Sequence, residues 1–133
     1  MDAFKKWALI EHKGSNGDPL SIHFDLLLED GQSCRTWRLP DIPVLEGPTL
    51  SITPLPAHKI HWLETKSAVL SANRGYVRQL FAGVFVGDLP KDPLDLISIE
   101  LRSTSMKGFL QINQKRCYLS MKPKSHMEKL TSS

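Results

Sequence analysis

Five histidines, His12, His23, His58, His61 and His126, are the side chains of this chain best suited to chemistry near neutral pH. His23 and Asp25 stand two apart in the run Ile22-His23-Phe24-Asp25-Leu26-Leu27-Leu28-Glu29, whose pattern predicts a β-strand. On a strand that spacing puts both side chains on one face, with Ile22, Phe24 and Leu26 on the other. A His and an Asp held side by side cost stability unless both are satisfied. Two arrangements satisfy them. One is an ordinary His–Asp hydrogen bond on a half-exposed face; the other is a divalent cation held by imidazole nitrogen and carboxylate oxygen. Spacing alone favours the hydrogen-bonded pair.

The other polar and aromatic residues carry plainer expectations. His61 follows His58 by three, a poor same-face spacing for a strand, and is expected on the surface. His126 falls in a polar tail. Trp7 and Trp37 sit on predicted strands and are expected in the core, while Trp62, beside His58 and His61, suits either core packing or a base-stacking platform. Cys34 and Cys117 form no CxxC knuckle and are expected as small buried apolar groups. Arg74-Gly75 reads as a turn, with Gly75 supplying unusual backbone angles.

The elements that would position these residues are strands nearly throughout. Predicted strands cover 7–10, 22–29, 33–39, 76–86, 96–101, 108–112 and 117–121, with Asp30-Gly31 as a hairpin signal between the second and third. Pro40, Pro43, Pro48, Pro54 and Pro56 make the stretch after Leu39 a connection with at most short edge strands. Lys59 to Leu70 suits either a strand or irregular structure. No stretch of ~12 residues shows a 3.6 period. The expected fold is all-β, a small closed β-barrel with short loops, in one domain over 1–122 with a polar tail over 123–133.

Composition agrees with one globular domain: 133 residues, 41% hydrophobic and 23% charged, which excludes collagen-like and disordered classes. No apolar run approaches the ~18–20 residues that span a bilayer. The start, Met1-Asp2-Ala3-Phe4-Lys5-Lys6, is unlike a signal peptide, and two cysteines give no disulfide framework, so a reducing, cytoplasmic setting is the simplest expectation. The net charge of +3 permits nucleic-acid contact without arguing for it. Lys107, Lys115, Arg116, Lys122, Lys124 and Lys129 against the single acid Glu128 make the C-terminal stretch basic, as a phosphate-tracking surface or a merely solvated one would be.

A wider pattern shifts the weight toward a metal. The run His23-Phe24-Asp25-Leu26-Leu27-Leu28-Glu29-Asp30-Gly31, followed by Thr36-Trp37-Arg38-Leu39-Pro40, resembles the HYDFRLE…DG…SWA-x-P signature of the 3′-phosphoesterase family, the end-healing domain of bacterial DNA ligase D. Trp7-Ala8-Leu9-Ile10-Glu11-His12 is similar to the family's preceding strand with its terminal His, across a longer loop here. Ala57-His58-Lys59-Ile60-His61-Trp62 resembles the DHP-x-x-Y segment, and Leu96 to Ile112, with Lys107-Gly108-Phe109, the closing hairpin. The resemblance spans roughly Trp7 to Met121 and is tighter in the first half.

The resemblance implies a β-barrel that uses manganese to trim 3′ ends, removing a terminal ribonucleoside and then a 3′-phosphate. It implies His12, His23 and Asp25 as metal ligands, His23 and Asp25 thereby as catalytic residues, and His58 as the group that contacts the phosphate or protonates a leaving oxygen. Four family positions differ: its Arg in HYDFRLE is Leu27, its Tyr is Trp62, the acidic residue two before its His is Pro56, and an Arg further upstream falls near Leu50. Arg38, Lys59 and Arg74, with Trp62, are the residues available to take over substrate contacts. The expected partners are nucleic-acid 3′ ends and a separate repair ligase or polymerase, with a monomer as the default. The alternatives are a catalytically degenerate nucleic-acid-binding module on the same fold, and a partner-binding β-domain in which His23 and Asp25 are a surface pair.

Overall fold

Apolar residues recurring at period two between turn formers fold this chain into strands. A computed structural model describes residues 4–14, 18, 20–71 and 74–123. In it the strands are β1 (Lys5–Lys13), β2 (Ile22–Asp30), β3 (Ser33–Leu39), β4 (Leu50–Ser51), β5 (Thr53–Lys59), β6 (Ser67–Val69), β7 (Tyr76–Val86), β8 (Ile97–Arg102), β9 (Gly108–Asn113) and β10 (Arg116–Ser120). A short 3₁₀ turn, Ile60–Leu63, lies between β5 and β6, so the stretch left open by periodicity is part turn and part strand. His126 and the tail from 124 onward lie outside the described residues. Among the described residues no helix is long and apolar enough to cross a membrane.

The strands form one antiparallel sheet in the order β4-β10-β9-β8-β7-β1-β2-β3-β5, with β6 pairing β7 beside that path. The all-β expectation holds, but the sheet does not close into the expected ring. Its two ends, β4 and β5, are consecutive in the chain and separated by Ile52 alone. Leu50 and Ser51 pair with β10, the Ile52 N–H donates to the Lys115 carbonyl at 2.7 Å, and Thr53 already pairs with Arg38 of β3. One chain segment therefore terminates the sheet on both sides, and its Pro54 and Pro56, which lack N–H donors, guard the β5 edge.

The β2–β3 hairpin is as expected, one residue displaced: Asp30 pairs with Ser33, and the two loop residues are Gly31, at φ 66°, and Gln32. Two apolar clusters lie on opposite faces of the sheet. Trp7 and Leu9 of β1, Leu26 and Leu28 of β2, and Trp37 and Leu39 of β3 join Phe85, Ile99, Leu110 and Leu119 in the larger core. Ala8, Ile10, Leu27, Cys34 and Val77, the alternate residues, form a second cluster capped by Leu63 of the 3₁₀ turn, with Trp62, Ala68 and Leu70 packed against it. The second face of β1–β2–β3 is thus covered rather than half-exposed. Ile22 is exposed, so the apolar side of β2 begins at Phe24.

Candidate metal centre

The site lies on the second face, just beyond the small cluster. Antiparallel pairing of β1 with β2 sets His12 directly opposite His23, and β2 with β3 sets Asp25 opposite Arg38. His12, His23 and Asp25 each offer one ligand atom, and these atoms all lie within 4.8 Å of one another. The His23 and Asp25 side chains are 12% and 4% exposed, with His23 Nε2 4.0 Å from Asp25 Oδ1. That is too long for the ordinary hydrogen bond. Both atoms are buried, and neither has a hydrogen-bond partner among the described residues. Arg38 Nε stands 3.6 Å from the same Asp25 oxygen, an ion pair rather than a hydrogen bond.

Two buried, facing polar atoms without a hydrogen bond are costly in a protein interior, and the Arg38 ion pair offsets that cost for Asp25 alone. The donor set of two imidazoles and one carboxylate suits a divalent cation. Two ligands held ~2.1 Å from one tetrahedral ion lie about 3.4 Å apart, so the His23–Asp25 spacing of 4.0 Å and the widest spacing of the set both need side-chain rotations to close on an ion. Burial pushes the His23 pKa down, with Arg38 and His12 adding to the effect and Asp25 opposing it. The neutral imidazole is the form that ligates a metal. The His12 and His23 rings meet edge to face at 4.7 Å, and His12 Nε2 lies 2.7 Å from the Arg74 carbonyl oxygen.

Beside the cluster a cavity of about 210 Å³ is lined by His12, Asp25, Arg38, His58, Trp62 and Arg74, with Ile10, Leu70 and Val77 as its apolar wall. The fold therefore brings together all but one of the residues singled out in the sequence, His23 joining through the ligand cluster. Lys59 is the exception. It is exposed, follows His58 on β5 and so points to the other face, and does not line the cavity. His58 Nδ1 donates to the Pro56 carbonyl at 3.0 Å, leaving Nε2 for other contacts. Arg74 donates through Nε and Nη2 to the carbonyl and hydroxyl of Ser71, both at 2.9 Å. Trp62 packs against the second cluster, one of its two expected parts, and also lines the cavity, with exposed His61 tilted over its ring at 4.6 Å.

Leu27 does not face the cavity. It is fully buried in the second cluster, so the residue standing where the resembled family has an Arg serves packing here. Burial pushes the Cys34 thiol up to about 11 and the Cys117 thiol to about 12, which makes both inert, as expected of buried apolar groups. The apolar wall and the Arg74 carbonyl escaped sequence reasoning. The wall had a signal in the unbroken runs Ala8-Leu9-Ile10 and Leu26-Leu27-Leu28, which mark strands buried on both faces. A backbone carbonyl has none. No protein-family model and no curated protein matches this chain.

Proposed function

We propose that the protein is a metal-dependent phosphoesterase acting on nucleic-acid 3′ ends, related to the 3′-phosphoesterases it resembles, and removing a terminal ribonucleoside or a 3′-phosphate. One observation carries the reading: three metal-type ligands from two strands converge, two of their atoms buried and without a hydrogen bond. His12, His23 and Asp25 would hold the cation, manganese by the resemblance, though the donor set accepts zinc or iron as well. A bound divalent cation supplies Lewis-acid polarisation of a phosphoryl oxygen. His58 keeps Nδ1–H on the Pro56 carbonyl, so that in the protonated ring Nε2–H is free to donate to a phosphate oxygen or give its proton to a leaving oxygen. Arg38 and Arg74 add positive charge at the cavity, and the Trp62 ring offers a face to a terminal base. A separate ligase or polymerase would use the trimmed end.

A second reading, a catalytically degenerate nucleic-acid-binding module, draws on the disposition of the cations. Leu27 offers no guanidinium, Arg38 is paired with Asp25, and Arg74 is tied to Ser71. Manganese titration followed by electron paramagnetic resonance separates the two, with primers ending in a ribonucleotide or a 3′-phosphate as substrates. The phosphoesterase binds one ion per chain, loses it in Asp25→Ala, and processes those ends in a reaction that folded His23→Ala, Asp25→Ala and His58→Ala lose. End processing that survives in His23→Ala and Asp25→Ala refutes it. Salt-sensitive nucleic-acid binding that is indifferent to chelators, without processing, is the signature of the module.

A further inference from the structure

The contact between His12 and the β6–β7 connection has a chemical consequence. A carbonyl oxygen can only accept, so the 2.7 Å contact with Arg74 requires a proton on His12 Nε2. In the neutral ring the lone pair then falls on Nδ1, which becomes the one nitrogen able to ligate a metal. The carbonyl is itself held in place. Arg74 grips Ser71 through its own guanidinium, and the Leu70 N–H donates to the Gly75 carbonyl at 2.8 Å.

Glycine is what lets this connection lie against β1. Gly75 has φ 84°, and a Cβ there would collide with the Lys13 carbonyl oxygen and lie 2.7 Å from the Gly14 carbonyl carbon. Gly14, at φ 75°, faces it across the gap, where an added Cβ would meet the Gly75 Cα at 3.3 Å. Lys13 and Gly14 directly follow His12, so any side chain at 75 pushes the Arg74 carbonyl off the ring it holds.

We propose that the Arg74 carbonyl, seated by Gly75, is a positioning group that fixes the His12 tautomer with Nε2–H held and Nδ1 presented to the metal. The proposal rests on reading the His12–His23–Asp25 cluster as a metal site. Carbonyl or carboxylate partners of this kind orient ligating histidines, and their loss typically weakens metal binding about 10–100-fold.

The test pairs long-range ¹⁵N correlation spectra of the histidine rings with zinc titration, zinc serving as a diamagnetic probe. In the metal-free wild type, at a pH where the ring is neutral, His12 is expected as the Nε2–H tautomer, and zinc is expected to shift Nδ1. Gly75→Ala is expected to mix the tautomers and lower zinc affinity about 10–100-fold, with the β-sheet retained. An Nδ1–H tautomer in the wild type overturns the proposal, and needs no variant to fold. So does a folded Gly75→Ala that keeps both tautomer and affinity. A held tautomer in a wild type that takes up no zinc overturns the metal reading itself, a failure distinct from a lost tautomer.

Discussion

Placing at position 27 the arginine that the resembled family carries there is the sharpest test of how this face is built. Leu27 is 0% exposed and shares its cluster with Ala8, Ile10, Cys34, Leu63 and Val77. Fully burying a leucine contributes about 1.5–3 kcal/mol, and truncation to alanine adds a cavity cost that brings the loss to about 2–5 kcal/mol. Arginine loses the same burial and adds a guanidinium to a face whose flanking acids on β2 are Asp25, 4% exposed and already paired with Arg38, and Glu29, which already accepts from the Lys6 backbone N–H. Leaving that charge buried without a good partner costs about 3–5 kcal/mol. The alternative is to lift the 3₁₀ turn, with Leu63 at 5% exposure, off the cluster. Either route predicts that Leu27→Arg destabilises by at least as much as Leu27→Ala, about 3–5 kcal/mol against a typical total of about 5–15.

Urea denaturation at equilibrium measures this directly. Leu27→Met serves as the volume-conserving control, expected to cost less than about 1.5 kcal/mol. A Leu27→Arg protein within about 1 kcal/mol of the wild type would refute the reasoning. It would mean that the second face tolerates charge and that position 27 is not a core position.

Three further outcomes follow from the same geometry. A cation that binds the folded cluster stabilises by mass action, so manganese at about 100 times its Kd should add about 2.7 kcal/mol, seen as a raised midpoint in thermal unfolding; a shift that persists in Asp25→Ala would place the ion elsewhere. Because burial holds His23 below its ordinary value of 6.5, the unfolded chain binds a proton there that the folded chain refuses. This contribution to metal-free stability is full above about pH 6.5 and is lost as the pH falls toward the folded value, so denaturation midpoints should drop between pH 7.5 and 5.5 less steeply in His23→Gln than in the wild type; parallel profiles would contradict it. With their thiols near 11 and 12, Cys34 and Cys117 should resist iodoacetamide at pH 8 in the native protein and react fully once unfolded, as mass spectrometry would show.

Most strands were legible because the chain alternates cleanly. The predicted runs 22–29, 33–39, 76–86 and 108–112 match β2, β3, β7 and β9 to within a residue. The limits of periodicity are equally physical. It assigns residues to a face but does not say what covers that face: alternation leaves the His23–Asp25 side half-exposed, whereas Leu63 of the 3₁₀ turn and Ala68 of β6 cover the apolar cluster next to that pair. Nor does alternation report a local slip. Against β7, Leu9 pairs with Phe81 and Ile10 with Gln79, so Leu80 is an extra residue that restarts the register on the site side. That bulge lets Val77 face the second cluster opposite His12 while Phe81 packs against the larger core.

The ligand cluster depends on register more than on any single contact. His12 meets His23 because seven residue pairs, from Trp7–Leu28 to Lys13–Ile22, hold β1 against β2. A slip of one residue would send either His12 or the His23–Asp25 pair to the opposite face. A strand buried on one side resists such a slip by the cost of exposing that side, and one buried on both sides resists it twice over. Leu26 and Leu28 sit in one core and Leu27 in the other, so shifting β2 would misplace both sets at once. Leu27, which stands where the resembled family has an arginine, is therefore part of what keeps His23 and Asp25 aligned with His12. On this reasoning a leucine at position 27 and a ligand cluster at His12, His23 and Asp25 support one another, because Leu27 secures the register on which the cluster depends.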